Sequence, residues 1–262
     1  MPLIDTHAHL DQPEFDADRD LVLTRAREAG VEAMLCVGIT AESSQAAVRL
    51  AEQHGYVYAA VGIQPNCANQ ATPADWERVV ELARHPRVVA TGETGLDRYW
   101  DYTPFDVQQD FFDRHLRLSQ DRGLPVIIHC RQADADLLPM LRAAVSRGPL
   151  RGVLHAFGGD AATAAEALAM GLYVSFAGNV SYANKKFDSL RQVAATIPDD
   201  RLLVETDCPY MTPHPLRGKE RRNEPAWIVH TVAALAKLRS VSPEHLAEQT
   251  TRNARALFKF SD

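Results

Sequence analysis

The chain has no apolar run long enough to cross a membrane, and its first residues lack the basic stretch and apolar segment of a secretory leader. Cys36, Cys67, Cys130 and Cys208 stand singly with no C-x-x-C, which argues against a zinc knuckle or a disulfide frame. No glycine-rich phosphate loop follows an early strand, as a dinucleotide-binding open sheet would require. Positive charge is scarce: 28 Lys+Arg stand against 34 Asp+Glu, a formal net charge of −6. A broad basic surface for coating duplex nucleic acid is therefore not expected, although a small cationic cleft for one strand end remains open. No linker, low-complexity tract or charge run breaks the 262 residues. The expectation is one domain over 1–262, cytoplasmic, with reduced thiols, no membrane association and no obligate protein partner.

What is present is a rhythm. Short apolar segments at 33–39, 56–63, 88–93, 124–129, 152–157, 172–176 and 201–205 read as strands, and a first strand leads through Leu3 and Ile4 toward His9. Between them lie helical stretches at 19–29, 41–54, 73–84, 104–122, 134–147, 161–170 and 186–196, with closing helices at 226–238 and 243–258. Thr72 suits an N-cap and Pro73 the first helical position. The strands are rich in apolar and β-branched residues, as parallel strands buried on both faces should be. The pattern predicts a (β/α)8 TIM barrel.

In this fold, functional groups collect at the C-terminal ends of the strands. The first strand ends in Asp5-Thr6-His7-Ala8-His9, where alternation predicts Asp5, His7 and His9 on one face. An isolated H-x-H is a weak signal, because paired histidines are often surface or packed residues. Here other strand ends add Glu93, His129, His155 and Asp207, each an odd polar residue in an apolar neighbourhood. Burying such groups unpaired would be costly, and divalent cations would offset that cost for all of them. Four imidazoles and two carboxylates exceed what one tetrahedral zinc needs, so two cations (Mg, Mn or Zn) are expected. Glu93 would bridge them, with His7, His9 and Asp207 on one and His129 and His155 on the other. An activated hydroxide would be the nucleophile, and Asp207 would take its proton.

The runs I-D-T-H-A-H-L-D at 4–11, G-E-T-G-L-D at 92–97, L-P-V-I-I-H at 124–129, G-V-L-H-A-F at 152–157 and L-L-V-E-T-D-C-P-Y at 202–210 resemble the TatD family of metal-dependent deoxyribonucleases. R-G-K at 217–219, N-E-P at 223–225 and T-T-R-N-A-R-A-L-F at 250–258 are similar too, so the likeness covers essentially the whole chain. It implies a barrel of the metallo-dependent hydrolase (amidohydrolase) type and hydrolysis of phosphodiester bonds in DNA, often from the 3′ end. By motif match it implies His7, His9, Glu93, His129, His155 and Asp207 as metal and catalytic positions. Glu205, in the same E-T-D motif, would support them from behind.

The chain departs from the family pattern in places. Gln64 stands where G-x-H-P usually has histidine; it can donate to a phosphate oxygen but cannot carry charge at neutral pH. Arg98 replaces a common aromatic, and Glu220-Arg221-Arg222 lengthens the segment between R-G-K and N-E-P. Gln64, Arg98, Arg131 and Arg217 are candidate substrate contacts, joined by Lys185, Lys186 and Lys219 as further cations and by Tyr99, Trp100, Tyr182 and Tyr210 as surfaces for bases. The substrate expected is DNA, as a single strand or a strand end. Rival readings are hydrolysis of a small ester, lactone or amide, and a non-catalytic binding protein with a vestigial site.

Overall fold

The apolar segments that alternate with amphipathic ones wind into a parallel barrel in the computed structural model, which describes residues 1–260. Among these residues, eight strands run in sequential order: β1 (Leu3–Ala8), β2 (Val31–Val37), β3 (Val57–Val61), β4 (Val88–Asp97), β5 (Val126–Arg131), β6 (Gly152–Leu154), β7 (Tyr173–Phe176) and β8 (Leu202–Val204). Every pairing from β1 to β8 is parallel. Past β8, Ala8 bridges Cys208, and His7 O and Cys208 O accept from Asp207 N (2.9 Å) and His9 N (2.8 Å). These bonds join the last strand end to the first.

Around the strands lie α1 (Arg19–Glu28), α2 (Ala41–Gln53), α3 (Pro73–Leu82), α4 (Phe105–Arg122), α5 (Asp134–Arg147), α6 (Ala161–Ala169), α7 (Asp188–Thr196), α8 (Ile228–Arg239) and α9 (Pro243–Phe258). Thr72 caps α3 by accepting from Asp75 N, and Pro73 follows at the first helical position. Alternation along the strands sorts their side chains into two cores. Met34 and Cys36 of β2 pack outward with the helices, whereas Leu35 and Val37 fill the interior with Ile4, Tyr58 and Ile127. At the strands' N-terminal end, Phe258 and Phe260 join the inner core, with the Phe260 ring 4.7 Å from that of Tyr58. The opposite end is left for chemistry.

Three sequence expectations change here. Leu3 and Ala8 both belong to the outer core, which strict alternation forbids, because the register of β1 against β2 shifts between Asp5 and Ala8. Asp5 therefore does not join His7 and His9; its carboxylate accepts from Thr206 Oγ1 (2.5 Å) and Thr206 N (2.9 Å). Strand β4 runs four residues past Glu93, since Gly95 and Asp97 pair with His129 and Arg131 of β5. A Cβ on Gly95 would lie 2.0 Å from His129 O, so this glycine permits close strand approach and is not a turn. Conversely, β6 and β8 stop short, at Leu154 and Val204. Ala156 (φ 42°) and Asp207 (φ 54°) turn the chain just beyond them.

Candidate metal centre

The two histidines of the first strand end point their Nε2 atoms at one another across 3.2 Å. His7 Nε2 lies 3.4 Å and His9 Nε2 3.6 Å from Glu93 Oε2, and they are 3.7 and 3.5 Å from Asp207 Oδ1. The other oxygen of Glu93 serves a second pair: Oε1 is 2.9 Å from His129 Nδ1 and 3.1 Å from His155 Nε2. Those two nitrogens are 3.4 Å apart. The His7 and His155 rings stack at 3.9 Å, joining the halves. His7, His9, Glu93, His155 and Asp207 are all buried. Thus all the residues expected from strand ends meet in one place, and Glu93 turns one oxygen to each half.

The groups behind the imidazoles decide which nitrogens are free. His9 Nδ1 donates to Val37 O (2.9 Å), and His129 Nε2 donates to Asp97 Oδ2 (3.0 Å), because a carbonyl or carboxylate can only accept. The neutral rings then turn lone pairs from His9 Nε2 and His129 Nδ1 toward Glu93. Such electron-rich groups need positive charge between them, as protons or as metal ions. Burial disfavours a charged His9, but Asp207 and Glu93 outweigh it and push its pKa up to about 9. Burial likewise opposes ionisation of Glu93, yet His155 and His129 hold it well below the usual carboxylate range. Three overlapping groups have donor atoms within 4.8 Å of one another: His7, His9 and Glu93; His7, His155 and Asp207; and Glu93, His129 and His155. Nitrogen and carboxylate donors of this number and convergence fit divalent cations.

Two acidic residues carry the surrounding support. Glu205 Oε1 accepts from Ala156 N (2.6 Å) and lies 3.4 Å from His155 Nδ1, the supporting position its motif suggested. Asp97 was not singled out in the sequence, where the strand was read as ending before it. Besides His129, its Oδ2 accepts from Asn66 Nδ2 (3.0 Å), and its Oδ1 accepts from Tyr99 N (2.8 Å) and Trp100 N (3.1 Å). Burial would raise the Asp97 pKa, but the bonds from His129 and Asn66 prevail and hold it at about 2.

A cavity of about 1070 Å³ opens over these groups, lined among others by His9, Gln64, Glu93, His129, Arg131 and Asp207. Gln64 Oε1 accepts from Asn66 N (3.2 Å), which leaves its Nε2 to donate into the site. Trp100, Tyr182, Lys186 and Tyr210 also line the cavity. Arg98 and Arg217 do not. Arg98 makes two bonds to Asp136 (2.7 and 2.9 Å) over the Phe105 ring, and the Arg217 guanidinium stacks 3.7 Å above Tyr182. The added Arg222 is likewise engaged elsewhere: it binds both oxygens of Asp18 (2.6 Å each) above Phe15.

Comparison with known proteins agrees with the motifs. The family model for TatD related DNase matches residues 4–259. The chain belongs to the TatD family. It is 39% identical to the metal-dependent hydrolase YabD of Bacillus subtilis, over 99% of this chain and 100% of that protein. It is 36% identical to the 3'-5' ssDNA/RNA exonuclease TatD of Klebsiella pneumoniae, covering 98% of this chain and 97% of that one. The crystal structure of YjjV, a TatD homologue from Escherichia coli, superposes with a TM-score of 0.91 at 31% identity, over 98% of each chain.

Proposed function

We propose that this chain is a metal-dependent phosphodiesterase that trims single-stranded nucleic acid from an end, with two divalent cations as cofactor. The observation that carries the reading is Glu93, whose Oε2 faces His7 and His9 while Oε1 faces His129 and His155. One cation would be held by His7, His9, Glu93 and Asp207, and the other by Glu93, His129 and His155. Bound there, Mg, Mn or Zn would supply Lewis acidity and activate water near neutral pH. Asp207 lines the cavity and is held ionised below the usual range: burial opposes this, but His9 and His7 prevail. Ionised there, its carboxylate would be available to accept a proton from the activated water. Gln64 Nε2 and the Arg131 guanidinium, both on the cavity lining, would bind phosphate oxygens.

The exonuclease name borne by the Klebsiella relative supports this substrate class. So does the cavity, slightly larger than the ~300–1,000 Å³ usual for a drug-sized ligand. The whole described chain contributes to one barrel, which supports a single catalytic domain. Free thiols at Cys36, Cys67, Cys130 and Cys208 suit the cytoplasm. Gel assays on 3′- and 5′-labelled single-stranded DNA and RNA in Mg, Mn and Zn test the reading, with Asp207→Ala as control. Stepwise shortening from one end that needs metal and vanishes in the variant is expected. No cleavage by protein proven to hold its metals would sink it and redirect the search to carbonyl esters, lactones and amides.

A further inference from the structure

The loop after β4 carries three aromatic residues that the metal centre does not use. Tyr99, Trp100 and Tyr102 are 49%, 40% and 58% exposed, the largest cluster of exposed aromatics in the described chain. They are ordered against one another: Trp100 and Tyr102 stack at 5.3 Å with planes 13° apart, and Tyr99 meets Trp100 edge-on at 4.7 Å. Trp100 lines the cavity and the two tyrosines flank it in sequence, and grouped exposed apolar rings mark interaction sites. Arg131 lies across them, its guanidinium 3.8 Å from the Tyr99 ring and 5.7 Å from that of Trp100. No carboxylate pairs with Arg131 among the described residues. Arg131 and Trp100 both line the cavity that contains Glu93 and His129.

The cluster is also tied to the metal centre. Asp97 accepts from His129 on one oxygen and from Tyr99 N and Trp100 N on the other. On the far side, the bidentate Arg98–Asp136 pair and the Phe105 ring beneath Arg98 hold the loop down. An ordered aromatic cluster is thus fixed one side chain away from a predicted metal ligand. In a chain of net charge −6, an unpaired arginine at that surface is a local exception. Part-exposed rings, each with one face covered by a neighbour, and a cation beside them complement a ligand that repeats flat faces and negative charges. A single nucleic-acid strand has that chemistry.

We propose that Tyr99, Trp100 and Tyr102 form a stacking platform for bases of the strand leading into the metal centre, with Arg131 holding an adjacent phosphate. The proposal rests on the nuclease reading and adds a subsite to it: bases away from the cleaved bond are gripped by shape, without sequence preference. Base stacking on an aromatic side chain changes affinity by roughly 5- to 150-fold per base.

The test uses metal-loaded protein and an oligothymidylate of eight nucleotides with phosphorothioate linkages, followed by fluorescence anisotropy. Trp100→Ala/Tyr102→Ala should weaken binding by about 10-fold or more, whereas Trp100→Phe/Tyr102→Phe should retain most of it. Replacing single nucleotides by abasic residues should weaken wild type at one or two positions and leave the double-alanine variant indifferent there. Metal content and thermal melting of each variant establish that the fold is kept. Equal affinity of wild type and the double-alanine variant, or an abasic penalty that persists in that variant, overturns the platform. Cleavage of ordinary oligothymidylate, scored in parallel, separates the two claims. Platform-dependent binding without cleavage by wild type defeats the nuclease reading alone, and cleavage with platform-independent binding defeats the platform alone.

Discussion

Asp97 fixes the ring of His129 so that Nδ1, and not Nε2, is offered toward Glu93. Outer partners of this kind typically change metal affinity by about 10–100-fold. Asp97→Asn should lower affinity by that order in a chelator-competition titration, because the amide accepts less strongly and can present its NH2 to the ring. His115 acts on the other wall. Its Nδ1 donates to Phe111 O (2.7 Å), and its Nε2 accepts from Ile63 N (3.0 Å), next to Gln64. Burial, only partly offset by the bond to Phe111 O, pushes its pKa down to about 4. Since the folded state holds this ring neutral while the unfolded chain protonates at the ordinary histidine value, His115 costs nothing above pH ~6.5. Its destabilising contribution grows as pH falls toward 4 and then levels off. Urea denaturation should therefore show the stability advantage of wild type over His115→Gln shrinking between pH ~6.5 and ~4.

The register of β4 against β5 brings Glu93, Asp97 and His129 together. That register depends on Gly95, whose φ of 142° and close approach to His129 O leave no room for a side chain. Gly95→Ala is expected to destabilise the fold by several kcal/mol, roughly 3 or more, and to release metal, seen as a lower melting temperature and a lower metal-to-protein ratio. The C-terminal end of β4 was legible as residues but not as an element. G-E-T-G-L-D reads as a strand running into a turn, and only pairing with β5 turns it into further strand. The positions of Arg98 and Arg222 were equally hidden. Arg98 was a candidate substrate contact and Arg222 part of an added stretch, and each is paired in the fold with an acid from another segment, Asp136 and Asp18.

At the scale of the whole molecule, the proposed ligands lie on β1 and just past it, on β4 and β5, and after β6 and β8, so a bound cation would crosslink much of the barrel. A ligand that binds only the folded state stabilises it by mass action. Chelation should lower the calorimetric melting temperature, and restoring the cation should return it. A His129→Ala variant should respond less, because it lacks a ligand on one side of Glu93. Unchanged melting on chelation, with metal loss verified, would argue that the imidazole–carboxylate cluster holds itself together through protons alone.

The barrel, the order of its strands and the membership of the imidazole–carboxylate cluster were determined by the sequence itself. Alternating apolar segments admit few folds, and buried polar residues at strand ends admit few explanations. His7, His9, Glu93, His129, His155 and Asp207 could be named from spacing and chemistry because strand ends of a parallel barrel converge wherever they lie in the chain. What only the tertiary structure decided was direction and partnership: Asp5 turned away by the register shift in β1, Asp97 brought behind His129, Arg131 laid over Tyr99. A register shift of one residue reverses a side chain, and an ion pair between distant elements leaves no periodic trace in the sequence.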